Sequence, residues 1–383
     1  QTSRVNNHGN PRVVLCTPGF PTSVDDSDKP FLLDHAVALS NAGIEVTVVC
    51  PATPDSQAHQ HVSGLRVVRV RYAPRRLQTL ASTGAMYREA RGLKALLVVP
   101  MLISMTFAMI RQMRSRPAVA YGHWWIPGGL VAVLAARCTR QRSVVHLHGS
   151  DVVIAQNRIL AWLARLVLRH ADVRLAVSGS LAEWGRSVSQ REVGVLAMPL
   201  DENRLPAPSP VPEHGFVLGV GRLVPEKGFD VLIEAVGLLD KQQRPALAIV
   251  GAGPQREALL ERARRLGVDL HLPGAVSPRE MGNWYRRARI VAVPSRREGF
   301  GLVGVEALAA GRAVVATTVG GLPDFVDHGV SGLLVEPNDA EAFAHALNLI
   351  DPEWGSRGPS RVVGLGSEAH GAYVRRLCED LQN

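Results

Sequence analysis

The chain has 383 residues, of which 46% are hydrophobic and 20% charged, and its formal net charge is +9. This length favours two domains, and this composition suits a globular protein with a hydrophobic core. The four cysteines are scattered without a metal-binding or CxxC spacing, which disfavours a disulfide framework and favours reduced core thiols in a cytosolic protein.

The first half of the chain alternates strand-like and helix-like segments. Helical spacing of apolar residues appears at 30–43 and 157–170. Short apolar runs that are typical of strands occur at 12–17, 44–51, 118–125, 143–149 and 173–178, and the strict alternation at 65–72 predicts a half-exposed strand. This order predicts a parallel sheet with helical crossovers.

A basic segment interrupts this pattern. Eleven lysines and arginines lie between His61 and Arg116, opposed by one acidic residue, Glu89. The segment predicts a face for a phosphate-bearing substrate, an acidic membrane or nucleic acid, and a merely solvated basic face is an equal alternative. Within it, the apolar run Ala95–Ile110 is shorter than the ~20 residues of a spanning helix, so we expect a core helix or an interfacial one.

A proline-rich segment separates the two halves. Prolines at 206, 208, 210 and 212 cannot continue a helix or an inner strand, so Leu205–Gly215 is the predicted linker. Beyond it the alternation repeats, with strands predicted at 216–221, 247–253, 268–274, 289–295 and 313–317, helices at 229–240, 254–267 and about 278–287, and a last helix from about 366. We therefore expect two Rossmann-like, doubly wound α/β domains that face a ligand-binding cleft.

The predicted strand at 216–221 is followed by two cationic side chains. Gly219 and Gly221 allow close backbone approach, and Arg222 and Lys227 follow at the carboxyl end of the strand. A guanidinium and an ammonium group suit a diphosphate, although a surface arginine and lysine in a loop fit the same pattern.

The stretch Glu298–Thr317 carries two glutamates eight residues apart around a glycine turn. A helix that begins near Leu302 would point its free N–H groups at an anion. Glu306, one turn into this helix, suits ribose hydroxyls, and Glu298 would lie nearer to whatever the phosphate carries. The alternative is that Glu298 is a solvated loop acid and Glu306 pairs with an arginine.

Three other predicted strand ends carry candidate residues. His148 and Gly149 end the strand-like run at 143–149 and Asp151 follows it, His123 lies at the end of another, and Gly19 follows the first. Each lies at the edge of the sheet where ligands bind in doubly wound folds, yet a structural role is about equally compatible.

The sequence contains no recognised metal or nucleophile motif. It lacks the P-loop, GxSxG, HExxH and ribose-acid GxGxxG signatures, which disfavours NTPases, serine hydrolases, zincins and dehydrogenases. The D-x-D within Asp25–Asp28 lies in a polar loop, so we expect no metal site there. Arg222, Lys227 and the helix start would then have to stabilise the negative charge of a leaving diphosphate in place of a metal ion.

Taken together, these motifs resemble family 4 of the nucleotide-sugar glycosyltransferases, which have the GT-B fold. The resemblance rests on GRLVPEKGFDVLIEA (221–235), GAGP (251–254), EGFGLVGVEALAAGRAVVAT (298–317), GGLPDFV (320–326) and GVSGLLVEP (329–337). The first half is similar more loosely, through HGSD and HWWIPGG. A Gly-Gly pair common after the first strand is replaced here by PGFPTSVDDSDKP, and GGLPD ends in Asp324 where glutamate is common.

The resemblance implies a retaining transfer of a hexose or amino-hexose, without metal or other cofactor, from a nucleotide-diphosphate sugar. It implies an acceptor-side domain over 1–205, a donor-binding domain over 206–365, and a last helix, about 366–383, that packs on the first domain. On the acceptor side it implies contacts at Gly19, His123 and Asp151. For the transferred sugar it implies contact and catalysis by His148 and Glu298. For the rest of the donor it implies diphosphate binding by Arg222 and Lys227, sugar and phosphate contacts at Gly299, Phe300, Gly301 and Leu302, and ribose binding by Glu306.

The acceptor is open to several interpretations. The basic segment and the Ala95–Ile110 run favour a membrane-linked, phosphate-bearing acceptor in glycoconjugate assembly, and a cytoplasmic enzyme held peripherally on an anionic membrane. A soluble natural product as acceptor, a nucleotide-sugar epimerase on the same architecture, and a catalytically silent binding protein are the alternatives. We expect no nucleic acid partner.

Overall fold

The computed structural model of the protein describes residues 10–24, 26, 29–80, 90, 92–200, 207–242 and 244–382. These residues form two compact units. The N-terminal unit holds the described residues up to Val177, Leu181–Pro199, and those from Ser367 onward, and the C-terminal unit holds Ser178–Ser180 and Leu200–Gly366. The boundary thus lies a few residues before the predicted one.

The N-terminal unit is built on an eight-stranded sheet with the order β3-β4-β2-β1-β5-β6-β7-β8 among the described residues. Its strands are β1 (Arg12–Cys16), β2 (Glu45–Pro51), β3 (His59–Val62), β4 (Leu65–Val70), β5 (Val119–His123), β6 (Ser143–Leu147), β7 (Val173–Ala176) and β8 (Gly194–Val195). The pairs are parallel except β3 with β4, so the predicted parallel sheet is confirmed.

Helices cover both faces of this sheet. They are α1 (Pro30–Asn41), α2 (Val98–Ser115), α3 (Leu130–Thr139), α4 (Ser150–Ile154), α5 (Arg158–His170) and α6 (Gly179–Ser189), with 3-10 turns at Arg75–Leu77 and Gly92–Leu97. Successive residues of β1 face opposite layers: Val13 packs in the core beside α1, and Val14 packs in the core beside α2. A strand buried on both faces therefore appears in the sequence as a continuous apolar run.

The strand at 65–72 is less exposed than its alternation predicts. Within β4, Arg69 is 3% exposed because its guanidinium donates hydrogen bonds to the carbonyls of Phe20 (3.0 Å) and Pro21 (2.8 Å) and to Gln60 (3.1 Å). The prediction of a half-exposed strand was wrong at this residue. The alternation places Arg69 on the solvent side, but its side chain is buried and holds the loop after β1.

The apolar run at 95–110 belongs to a longer helical stretch. Gly92–Ser115 is continuous over 24 residues and, by length and composition alone, is apolar enough to cross a membrane. The length argument against a spanning helix was therefore wrong, because the helix continues through Arg111 and Arg114. Met101 and Met109, on one side of α2, are fully buried against the sheet and α3, while the opposite side is exposed. The helix is therefore a core element on one face only.

The last helix, α14 (Ser367–Gln382), packs against α1 of the N-terminal unit. Val374 and Cys378 are fully buried in the core with Leu32, and His370 Nε2 lies 2.8 Å from His35 Nδ1. The chain therefore returns to its first unit after completing the second.

The C-terminal unit has a six-stranded parallel sheet with the order β11-β10-β9-β12-β13-β14. The strands are β9 (Phe216–Val220), β10 (Leu247–Val250), β11 (Leu270–Gly274), β12 (Ala288–Val293), β13 (Ala313–Thr317) and β14 (Gly332–Val335). The helices are α7 (Phe229–Leu238), α8 (Arg256–Leu266), α9 (Pro278–Arg287), α10 (Leu302–Ala309), α11 (Leu322–Phe325), α12 (Ala340–Leu349) and α13 (Gly358–Val362), with 3-10 turns at Pro225–Lys227, Pro352–Arg357 and Val363–Leu365. The predicted alternation is confirmed here to within a few residues.

The proline-rich segment is fastened to the C-terminal unit over its described part. Leu205 and Pro206 lie outside the described residues. Arg312, itself fully buried, donates hydrogen bonds to the carbonyl of Ser209 (2.8 Å), to its hydroxyl (2.6 Å) and to the carbonyl of Pro210 (3.3 Å). These contacts make the segment part of the unit rather than a free tether.

Candidate functional site

The carboxyl ends of neighbouring strands bring Lys227 and Glu298 together. Lys227 follows β9 and Glu298 follows β12, and these two strands are paired in the sheet. The Lys227 Nζ lies 2.7 Å from Glu298 Oε2, and the Ser295 hydroxyl donates to the same oxygen at 3.0 Å. The two side chains are 22% and 15% exposed, so the ion pair is accessible to a ligand but largely shielded from solvent. Arg222 lies at the same strand end and is exposed.

A second set of charges holds this ion pair in place. Arg296 forms a bidentate salt bridge with Asp230, at 2.8 and 2.7 Å, and its backbone N–H donates to the Glu226 carbonyl at 2.9 Å. Burial opposes ionisation of Asp230, but the hydrogen bonds and charge of Arg296 lower its pKa below the usual value. The loop that carries Glu298 is thereby tied to the turn that carries Lys227.

Glycine is required where the loop after β13 meets the loop after β12. Gly320 has φ +60°, and a Cβ there would lie 2.2 Å from the Glu298 carbonyl oxygen. The next residue, Gly321, donates its N–H to the Gly299 carbonyl at 3.0 Å. The backbone around Glu298 is therefore supported by a second loop that a larger residue would displace.

Helix α10 begins at Leu302, as the sequence predicts. Gly301 precedes it with φ +90°, a left-handed conformation that favours glycine. Phe300 is buried and packs edge-to-face on Phe325, with ring centroids 5.0 Å apart. The first N–H groups of a helix have no intrahelical acceptor, so this start is suited to an anion.

Glu306 lies one turn into α10 and is held by a tyrosine of α9. The Tyr285 hydroxyl donates to Glu306 Oε2 at 2.6 Å. Tyr285 is fully buried, and burial followed by the charge of Glu306 raises its pKa well above the usual value. The phenol therefore stays a donor at physiological pH and fixes one carboxylate oxygen. Sequence reasoning missed this partner, because no spacing links 285 with 306.

In the N-terminal unit, Asp151 and Gly19 are engaged within the protein. The Asp151 carboxylate is fully buried and accepts backbone N–H bonds from Trp125 (2.7 Å), His148 (2.7 Å) and Gly149 (3.2 Å). Burial raises the pKa of Asp151 to about 6, and these hydrogen bonds oppose that rise. Gly19 is buried, and its N–H donates to the Thr17 hydroxyl at 3.1 Å. The geometry supports a role in shaping the strand ends for both residues.

His148 contacts His123, another of the candidate residues predicted from the sequence. Its Nε2 lies 2.8 Å from Nδ1 of His123, which is fully buried, and its ring lies 4.4 Å from that of Trp124 between centroids. Burial, followed by the neighbouring His146, lowers the pKa of His148 well below its usual value. The structure thus presents His148 as a neutral imidazole backed by His123.

Family models for glycosyltransferases match most of both halves. A model described as "Glycosyl transferase 4-like domain" matches residues 30–199, and one described as "Glycosyl transferases group 1" matches residues 215–350. A D-inositol 3-phosphate glycosyltransferase from Frankia alni is 30% identical over 290 residues, which are 64% of this chain and 69% of that protein. The chain belongs to family 4 of the nucleotide-sugar glycosyltransferases.

Further comparisons agree with this assignment. D-inositol 3-phosphate glycosyltransferase 1 from Catenulispora acidiphila is 34% identical to this glycosyltransferase over 287 residues, 66% of each chain. The matched segments thus span about two thirds of these curated relatives. Sucrose-phosphate synthase from Thermosynechococcus elongatus, 23% identical, superposes with a TM-score of 0.77 over 97% of this chain and 99% of that one. Anabaena Alr3699/HepE, solved in complex with UDP, is 19% identical and superposes with a TM-score of 0.75 over 97% of this chain and 100% of that one. The predicted GT-B fold is confirmed.

The glycosyltransferase also contains a cluster in which His146, a residue that sequence reasoning did not single out, joins His123 and His148. His123, His146 and His148 have ring nitrogens within 4.8 Å of one another, near enough to share a metal ion. The His146 Nε2 lies 2.8 Å from the Leu196 carbonyl, which only accepts, so this nitrogen carries the proton and Nδ1 accepts from the Tyr121 hydroxyl at 2.8 Å. Both nitrogens of His146 are thus engaged, and the cluster fits a hydrogen-bonded network better than a metal site. Of the D-x-D, Asp28 lies outside the described residues, and the Asp26 carboxylate accepts hydrogen bonds from the N–H and the hydroxyl of Thr22, both at 2.9 Å.

Proposed function

We propose that this glycosyltransferase moves a hexosyl or amino-hexosyl group from a nucleotide-diphosphate sugar to an acceptor hydroxyl, with retention and without a metal ion. The observation that carries the proposal is the Lys227–Glu298 pair at 2.7 Å, placed directly before the turn into α10. The ends of two neighbouring strands thereby offer a cation, a carboxylate and a helix start, which match a phosphate, a sugar hydroxyl and a second phosphate oxygen.

The proposed donor site assigns one part of the ligand to each group. Lys227, with Arg222 beside it, takes the diphosphate, and the N–H groups at 300–302 complete its binding. Glu306, whose carboxylate is oriented by the Tyr285 hydroxyl, accepts from the ribose hydroxyls. Glu298 accepts from hydroxyls of the transferred sugar once Lys227 has turned to the phosphate.

In the proposed reaction the bond between the anomeric carbon and the diphosphate oxygen breaks as the acceptor oxygen bonds to that carbon on the same face. The acceptor proton passes to the leaving phosphate oxygen, which balances the step. The cations and the helix start stabilise the negative charge of the leaving diphosphate. Transfer that persists undiminished in excess EDTA, with an unchanged anomeric configuration in the product, is the expected result.

The first test of the donor site is a thermal-shift panel with UDP, GDP, ADP and dTDP. A ligand that binds only the native state raises its stability, so one of the four should raise the melting temperature. Lys227→Ala should lose most of that shift, and Lys241→Ala, which changes an exposed lysine of the same unit, should keep it. An equal shift in both variants would remove Lys227 from the diphosphate site.

We propose a membrane-linked, phosphate-bearing acceptor and a peripheral position on the cytoplasmic membrane face. The exposed side of α2 supports it: Val99, Ile103 and Phe107, one turn apart, are 60%, 51% and 70% exposed. The basic segment supports the membrane proposal less than its number of lysines and arginines suggests, because Arg69 is buried and Arg116 is paired with Glu45 at 2.5 Å. Failure to sediment with anionic liposomes at low salt would end the membrane proposal.

A soluble phosphorylated acceptor is the second candidate, and the names of the curated relatives, D-inositol 3-phosphate glycosyltransferases, favour it. An epimerase would instead interconvert donor sugars with no acceptor present. Product analysis with donor alone, with donor plus inositol phosphate, and with donor plus a lipid phosphate distinguishes the three.

A further inference from the structure

The N-terminal unit contains an apolar cavity of about 420 Å³ at the carboxyl edge of its sheet. Pro18 follows β1, Trp124 follows β5 and Ser150 follows β6, and all three line the cavity. Ligands bind at this edge in doubly wound sheets. The cavity is therefore placed where an acceptor would be placed, and Trp124, one of its walls, also packs on His148.

The lining suits a hydrocarbon. Apart from Lys29 and Ser150, the described lining side chains are apolar, and they come from the loop after β1, the α2 region, the turn after β5, and helices α4 and α5. Cavities of ~300–1,000 Å³ that are mainly apolar with a few polar groups are typical ligand sites. A sugar alone would leave most of its hydroxyls unpaired in such a cavity, at a cost in free energy.

Two helices with exposed apolar faces flank the cavity. Val99 of α2 belongs both to the lining and to the exposed face of that helix. On α5, Leu160 lines the cavity, while Ile159 and Trp162 are 75% and 62% exposed and Arg158 is exposed beside them. Apolar side chains with adjacent cations are typical of a surface that lies on a bilayer.

We propose that this cavity binds the single alkyl or isoprenoid chain of an anionic acceptor lipid, with the head group toward Lys29 and the strand ends. The inference rests on the proposed function, and it names the acceptor class for the same site. Burial of the chain extends the apolar contact from the membrane surface to the sheet edge. Lys29, the charged member of the described lining, supplies the matching charge for a phosphate head group.

Chain-length dependence of binding tests the proposal directly. The probes are ethyl, hexyl and decyl phosphate below their micelle concentrations, with inorganic phosphate as reference, and the dissociation constants are measured by calorimetry. Each buried methylene should tighten binding by about fourfold until the cavity is full. Equal constants along the series would overturn the proposal.

Neighbouring residues of α5 provide a matched pair of variants. Leu160→Trp fills the cavity and should abolish the chain-length dependence, whereas Ile159→Trp adds the same side chain outside the lining and should preserve it. Ala95→Phe narrows the cavity from its exposed rim and serves where Leu160→Trp does not fold. Identical behaviour of the cavity-filling and control variants refutes the cavity as the binding site.

Two measurements distinguish failure of the cavity proposal from failure of the proposed function on which it rests. The nucleotide-diphosphate thermal shift should be unchanged in Leu160→Trp, whose loss of chain-length dependence would support the cavity. A wild-type protein that shows the nucleotide shift but no chain-length dependence would contradict only the cavity proposal. Absence of any nucleotide shift in the wild type contradicts the proposed function itself. Binding to anionic vesicles without chain-length dependence, or self-association abolished by Leu160→Trp, would assign the surface to a bilayer or a second copy and overturn the lipid-chain site.

Discussion

The Lys227–Glu298 ion pair leads to an unusual expectation for Glu298→Gln: a nucleotide diphosphate without its sugar should bind more tightly. The ammonium group of Lys227 lies 2.7 Å from the Glu298 carboxylate, so a diphosphate must compete with Glu298 for it. The substitution removes both the competition and a negative charge near the phosphates.

The magnitude follows from the geometry. Two unit charges ~4 Å apart interact by about 1 kcal/mol in water and about 4 kcal/mol at an effective dielectric constant of 20. Side chains that are 15–22% exposed lie between these limits, and the amide of glutamine keeps part of the hydrogen bonding. We therefore expect a gain of about 1–2 kcal/mol, which is roughly 5–30-fold in affinity.

Calorimetry with the nucleotide diphosphate that gives the largest thermal shift measures this gain, and turnover of its nucleotide sugar is measured in parallel. Turnover should fall in Glu298→Gln, because the sugar hydroxyls lose a charged acceptor. Glu341→Gln, which changes an exposed acid of the same unit, should alter neither quantity. If Glu298→Gln weakens binding of the nucleotide diphosphate as much as Lys227→Ala does, the carboxylate positions the lysine rather than competing with the phosphates for it. That result would refute the expected gain in affinity.

Three further predictions concern the supports of the site and of the N-terminal core. Tyr285→Phe leaves Glu306 without its 2.6 Å donor, so the preference for ribose over 2′-deoxyribose nucleotides should shrink by about 1–2 kcal/mol, and equal preference in wild type and variant would contradict the assignment. Gly320→Ala places a Cβ 2.2 Å from a carbonyl oxygen at positive φ, so chemical denaturation should show a larger loss of stability than for Gly329→Ala, which shares the positive φ (+77°) but has open space and should lose only the backbone strain of about 1–3 kcal/mol; equal losses would contradict the close contact at Gly320. Burial lowers the pKa of His146 to about 3 and of His370 to about 4, below the unfolded value of about 6.5. Unfolding free energy should therefore be insensitive to these histidines above pH ~6.5 and fall by about 1.4 kcal/mol per pH unit for each as pH drops toward 4; an unchanged acid slope in His370→Gln would contradict this.

The sequence predicted the sheets well because their strands are buried on both faces. Continuous apolar runs bounded by glycine and proline identify such strands whatever the tertiary context. β3 was missed because His59–Val62 is a polar edge strand, recognisable only by its antiparallel pairing with β4. Arg69 was misjudged for a related reason: it is buried against carbonyl oxygens, as Arg312 is, and composition counts an arginine as surface charge wherever it lies.

The proximity of Lys227 and Glu298 was easier to predict than the orientation of His123 and Asp151, and the reason is physical. Lys227 and Glu298 follow adjacent strands, so the parallel order of the sheet brings them together without further information. The same rule placed His123 and Asp151 correctly at strand ends, but it fixes only the position along a strand. Whether a side chain at that edge faces a ligand or turns inward depends on the loops above it. Asp151 turns inward because three backbone N–H groups of those loops satisfy its carboxylate. The space at the carboxyl edge of the N-terminal sheet is therefore set by its loops, and the space that they leave beside Trp124 is an apolar cavity.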